Sequence, residues 1–187
     1  QAKENGSCHK HKSGDNATGY HVHVDARDLS QDQCALVVVF FNHMLADFRR
    51  QYPSILPKWR TENFYYCQRN SCLEPRNSLE TVFSNNSGNR YRQVNLASLR
   101  KHGTIEFRVG YLPDTGDEVV SWAKACRALV DKVASLDKED MAAIKNAGEG
   151  IEVLTLECMS EWIEGLDKQT TFKKAFFKQF TRGMAHV

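Results

Sequence analysis

The sequence contains no long hydrophobic run. Its longest apolar stretch, Cys34 to Phe41, falls well short of the roughly 20 residues a helix needs to cross a bilayer. It also lacks an excess of charge of either sign: 25 Lys and Arg stand against 23 Asp and Glu, a formal net charge of +2. That balance excludes a nucleic-acid tail or a polybasic membrane anchor as the main feature. No signal-peptide pattern is visible, because the first sixteen residues are polar with Lys and His scattered among them. There is no internal repeat and no low-complexity segment. The six cysteines form no regular framework. Cys34 and Cys126 fall within apolar helical patterns, where a reduced core thiol is the default, so the expected compartment is the cytoplasm. The chain opens at Gln1 rather than Met, and the expectation is that it was cut from a longer one.

What is present suits a globular domain. A chain of 187 residues, 41% hydrophobic and 26% charged, has the composition and length for one packed core with a small appendage. Residues 1–18 read as loop. Gly19-Tyr-His-Val-His-Val-Asp-Ala26 alternates as a strand, with Tyr20, Val22 and Val24 on one face and His21, His23 and Asp25 on the other. Ser30 followed by Gln33 is a capping-box signature. Leu36, Phe40, Met44 and Phe48 then recur at every fourth position, which predicts a helix ending near Tyr52-Pro53. Residues 53–89 predict loops and short helices lying over a site, with a turn at Ser84-Asn-Asn-Ser-Gly88. Arg90-Tyr-Arg-Gln-Val-Asn-Leu96 alternates weakly and Gly103-Thr-Ile-Glu-Phe-Arg-Val-Gly110 cleanly, which predicts neighbouring strands of one sheet. From Asp117 a stripe of Val119, Trp122, Cys126, Leu129 and Val133 predicts an amphipathic helix. Three more helices are expected near 138–146, 151–164 and 170–181.

The chemistry lies on two strand faces. The first offers His21, His23 and Asp25, and the second Glu106 and Arg108. Two imidazoles at spacing two can converge on a metal ion that a carboxylate from another strand completes. A guanidinium beside that carboxylate suits an anionic substrate, since it can grip a carboxylate or phosphate through two parallel hydrogen bonds. Taken singly, an HxH strand reads as a solvated face and a Glu-x-Arg strand as an ordinary charge pair.

The ensemble resembles the amidoligase family, relatives of glutamine synthetase and of γ-glutamyl–cysteine ligases. Gly19-Tyr-His-Val-His-Val-Asp25 is similar to the family's first diagnostic strand, Arg90-Tyr-Arg-Gln-Val-Asn-Leu96 to its second, and Gly103-Thr-Ile-Glu-Phe-Arg108 to its third. The helix bearing Trp122 follows, as it does there. The likeness spans about residues 19 to 135 and resembles the C-terminal part of such enzymes. It implies an α+β fold, a glutamine-synthetase-like antiparallel sheet packed by helices, with a helical C-terminal region. The implied organisation is a flexible segment over 1–18, a catalytic core over 19–135 and helices over 136–187. The implied reaction is ATP-dependent joining of a carboxylate to an amine through an acyl phosphate. His21 and Glu106 would be ligands of a Mg²⁺ that contacts ATP. His23 would help hold substrate or phosphate, and Arg108 would face the transferred phosphoryl group or the substrate carboxylate. Arg90, Arg92 and Asn95 would line the same cavity. The partners implied are a carboxylate and an amine, from small molecules, peptides or protein side chains, and neither nucleic acid nor membrane.

One departure stands out. The family opens with a strand of closely spaced glutamates, whereas residues 1–18 hold only Glu4 and Asp15. The expectation is that an N-terminal segment or a partner chain completes the site. Two other classes compete. A zinc-binding module would draw on Cys8, His9, His11, His21, His23 and Asp25, with Cys67 and Cys72 besides, but their spacing matches no standard finger or ribbon. A binding or structural domain would keep the fold without the activity. A histidine-triad hydrolase needs a third alternating histidine where Asp25 stands. The lysines of 170–181 read as a solvated helix face.

Overall fold

The computed structural model describes residues 19–73 and 77–146. The expected segment 1–18 and the expected helices near 151–164 and 170–181 lie outside them. Among the described residues three strands and six helices follow one another: β1 (Gly19–Asp25), α1 (Gln31–Gln51), α2 (Lys58–Asn63), α3 (Leu79–Ser87), β2 (Val94–Asn95), α4 (Ser98–His102), β3 (Thr104–Tyr111), α5 (Gly116–Ala134) and α6 (Lys138–Asn146). The architecture is α+β, an antiparallel sheet in the order β1-β3-β2 with helices packed on it.

The long helices form where cap and period agree. Ser30 accepts from the amide of Gln33, whose side chain accepts from the amide of Ser30. Thr115 and Glu118 make the same reciprocal pair at the start of α5. Each box satisfies two of the donors that a helix N-terminus leaves open. The buried stripe of α1 includes Leu36, Phe40, Met44 and Phe48, and that of α5 Trp122, Cys126, Leu129 and Val133. They meet over the sheet, where Phe41 packs on Phe107 and Trp122 is met edge-on by Phe48 and Tyr52. No helix among the described residues is long and apolar enough to cross a membrane.

The register of the sheet sorts apolar from polar in rows. Val22 and Val94 both pair with Phe107, forming an apolar row that faces the helices. One residue along β3, His23 and Asn95 both pair with Glu106, a polar row on the opposite face. Between Tyr20 and Val22 the register slips by one, so His21 stands against both Arg108 and Val109. Such a bulge bends the ladder locally and re-aims the neighbouring side chains. Gly103 ends α4 in the left-handed region, at φ 67°, and so turns the chain directly into β3.

Two expectations need correction. Ser84 to Gly88 does not form a turn: α3 continues to Ser87, with Gly88 following at negative φ. Its asparagines are tied back, Asn85 to the carbonyl of Thr81 and Asn86 to that of Val82. The second strand is also shorter than expected, only Val94–Asn95. Arg92 makes just an isolated bridge to Gln68.

Candidate functional site

The polar row is centred on Glu106, which is 6% exposed and fully engaged. Its Oε1 accepts from Arg108 Nη1 at 2.8 Å and from His21 Nδ1 at 2.9 Å, with His23 Nε2 at 3.6 Å. Its Oε2 accepts from Asn95 Nδ2 at 2.5 Å. Asn95 is fixed in turn by the amide of Ala97, which donates to Asn95 Oδ1. Burial alone would raise the Glu106 carboxyl above its ordinary value. The bonds from His21 and Asn95 and the charge of Arg108 overcome that and hold it at about 2. Hydrogen bonds to the ionised form and a nearby cation have this sign. Glu106 is therefore a fixed anion at neutral pH.

The second histidine is held from below. His23 Nδ1 lies 2.9 Å from Thr104 Oγ1, which lies 3.0 Å from Ser98 Oγ. The hydroxyls orient the ring so that Nε2 faces Glu106. The structure thus brings His21, His23, Asn95, Glu106 and Arg108 together. It does not bring Arg90, whose guanidinium lies over the ring of Tyr91 and donates to its hydroxyl. Arg92 donates to the carbonyl of Arg69 at 2.6 Å, on the flank of the site. Asp25 is paired with Arg27 at the exposed end of β1.

One prominent residue carries no mark in the sequence pattern. Arg60, on α2, is 1% exposed. Its Nε donates to the carbonyl of Val109 and its Nη2 to that of Arg108, both at 3.1 Å. Its guanidinium sits 5.0 Å from the Phe64 ring, and no carboxylate among the described residues pairs with it. Burial, with the neighbouring charge of Arg108 in the same direction, pushes its pKa below the usual guanidinium value. Buried N–H groups on Arg60, Arg92 and Arg108 have no acceptor among the described residues. The chain 53–73 lies over this flank of the sheet, held by the amide of Tyr111 on Ile55 and by Gln93 Nε2 on the carbonyl of Thr61. Cys67 is packed inside it at 1% exposure, while Tyr65 and Tyr66 are exposed. Burial raises the Cys67 thiol to about 11. It is thus a neutral packing group, as are the buried free cysteines Cys34 and Cys126.

The residues present do not fit a resident Mg²⁺. That ion demands near-octahedral oxygen ligands, and here there is one carboxylate, whose two oxygens already take donors from Arg108, His21 and Asn95. The guanidinium occupies the place of the cation. Among the described residues no group of three or more His, Cys, Asp or Glu is arranged to hold a metal ion. The zinc candidates Cys8, His9 and His11 lie outside the described residues. What the arrangement can do is bind an oxyanion: a fixed carboxylate aligns cationic and imidazole donors around it. Compared with protein-family models, with characterised proteins and with solved structures, the chain has no match.

Proposed function

We propose that the chain carries the anion-binding face of an ATP-dependent carboxylate–amine ligase of the amidoligase kind. The observation that carries this reading is the row His23–Glu106–Asn95 across three strands, with Arg108 held 2.8 Å from Glu106. The first and third sequence motifs that resemble the family lie on β1 and β3, and the second reaches the sheet through Val94–Asn95, in the family's order. The surplus of cationic donors supports the same reading, because Arg60, Arg92 and Arg108 each keep a buried N–H group with no acceptor among the described residues, and only Arg108 of the three pairs with Glu106.

In the proposed reaction a substrate carboxylate attacks the γ-phosphate of Mg-ATP, releasing ADP and giving an acyl phosphate. An amine then displaces inorganic phosphate, loses a proton and forms the amide. Glu106 keeps Arg108 and His21 in place without touching substrate. Arg108 gives its remaining donors to phosphoryl or carboxylate oxygens, where charge builds up in transfer. His23 flanks the same space. Carboxylate and amine could come from small metabolites, peptides or protein side chains, and the ion enters with the nucleotide.

Calorimetric titration of Mg-ATP into the full chain tests the reading, beside Glu106→Gln and His21→Ala variants checked for fold by circular dichroism. We expect binding to the wild type and at least a roughly tenfold weaker Kd in each variant, about 1.4 kcal/mol. Wild-type affinity in both variants, or no binding by a folded wild type, would sink it. The second reading, a binding domain of the same fold without ligase activity, is favoured by the closed hydrogen bonding of Glu106. Tight nucleotide binding with no ADP release in the presence of varied carboxylates and amines would select it.

A further inference from the structure

An open cavity of about 690 Å³ lies between the start of α1, the end of α3 and the turn that carries α4. Cavities of roughly 300–1,000 Å³ are of the size that small-molecule ligands occupy. Its wall is built from apolar side chains. Cys34 and Leu96 are buried there, whereas Leu29, Phe83 and Leu99 pack on the core yet stay only partly buried. The helix α4 separates the cavity from the polar row. Ala97 and Leu99 line the cavity, while Ser98 between them lies 3.0 Å from the Thr104 hydroxyl that supports His23. The cavity is therefore a site apart from Glu106.

The charges at its mouth have one sign. Among the described residues no Asp or Glu lines it, and its two charged side chains are Arg27 and Arg100. They differ in what already holds them. Arg27 donates to both carboxylate oxygens of Asp25, at 2.9 and 2.6 Å, and Asp28 adds its charge nearby. Arg100 is exposed and has no ion pair or side-chain hydrogen bond among the described residues. Its short helix, Ser98–His102, sets Lys101 and His102 beside it and carries no acid. A charged ligand that lies along the apolar wall and ends at Arg100 is therefore an anion. A carboxylate suits the guanidinium, since its two oxygens match two parallel N–H groups.

We propose that this cavity binds an apolar monocarboxylate, whose body lies against Leu29, Phe83 and Leu99 and whose carboxylate pairs with Arg100. The body covers apolar surface that the fold leaves half-open, and removing such surface from water drives association. The head supplies the counter-charge that Arg100 lacks. A small anion such as acetate meets only the second need. A cation with the same body faces two guanidinium groups. The site requires neither nucleotide nor the polar row, so it does not depend on the ligase reading.

The test is a titration of the full chain with octanoate and with 2-naphthoate, followed by heteronuclear NMR. Acetate and octylammonium at matched ionic strength are the controls. Two variants separate body from head. Gly88 lines the cavity at φ −90°, and a Cβ built on it meets nothing within 4 Å, so Gly88→Phe adds a ring there without displacing the backbone. Arg100→Glu reverses the charge of an exposed residue. We expect the acids to shift the amides of Gly88, Leu99 and Gly103, and the tighter of the two identifies the body as chain or ring. Affinity should fall at least about tenfold in each variant with circular dichroism unchanged, and both controls should bind about tenfold more weakly. Octylammonium binding as tightly as octanoate, wild-type affinity in Gly88→Phe, or no binding of either acid by the folded wild type would overturn the proposal. So would shifts confined to the exposed Trp59, Tyr65 and Tyr66, or self-association that Gly88→Phe abolishes, which would give the cavity to a second copy of the chain.

Discussion

Glu106 shows how a single residue links stability to pH. Its folded pKa, about 2, lies below the ordinary 4.5, so the folded state favours the ionised form. The sign follows: the contribution is fully present above about 4.5 and is lost as pH falls toward about 2. Glu106→Gln should lower unfolding free energy at neutral pH by about 2 kcal/mol, since it weakens charged hydrogen bonds to Arg108 and His21 without emptying space. The same variant should show a smaller loss between pH 4.5 and 2.5 than the wild type. Urea denaturation at a series of pH values checks both, and parallel pH curves for the two proteins would refute the assignment. The residues that build this network were partly legible in the sequence. His21, His23, Glu106 and Arg108 follow from alternation, because a period of two fixes which side chains share a face. Arg60 was not, because its partners are the backbone carbonyls of Arg108 and Val109, which no residue pattern announces.

The elements divide by how much of their stability is local. In α1 and α5 the cap, the period and the apolar stripe agree, so both helices could be read from the chain. The caps should carry measurable free energy: Thr115→Ala should cost about 1 kcal/mol, with Ser30→Ala similar. Thermal or chemical unfolding monitored at 222 nm measures this, and a loss below a few tenths would mean that neither box matters once the helices are packed. In α3 local preference points the other way. Ser84, Asn85, Asn86, Ser87 and Gly88 read as a turn, yet Asn86 is buried and bonds to Val82, Ser71 and Asn70. Those distant partners convert a turn-favouring residue into a helical one, and a single-sequence period cannot anticipate them. The weak alternation of residues 90–96 has a related cause. Only Val94 and Asn95 find a ladder partner on β3, because the preceding residues are diverted to Gln68 and Arg69.

At the scale of the molecule, the sheet is held unequally on its packed face and at its edge. One face packs on α1 and α5 through fully buried side chains such as Phe40, Phe41, Phe107 and Trp122. Beyond the short β2 the segment 53–73 meets the sheet edge through a small set of polar bonds, Arg60 to two carbonyls of β3, Tyr111 to Ile55, and Gln93 to Thr61, while Ile55, Leu56 and Cys67 are buried in the core. Regions with exposed side chains and few buried apolar contacts open at lower free energy than the core, and the stretch bearing the exposed Trp59, Tyr65 and Tyr66 is of that kind. That stretch should therefore open more readily than the core does. Arg60 is its anchor, so Arg60→Met should accelerate hydrogen exchange at Tyr111 and at Gln68 by about tenfold, which corresponds to ~1.4 kcal/mol. Amides in the middle of α1 should change much less, since they exchange only when the core opens. Native-state exchange followed by heteronuclear NMR distinguishes the cases. Uniform acceleration across α1 and β3 would mean that Arg60 supports the whole fold. Acceleration confined to the segment would mean that Arg60 anchors it locally.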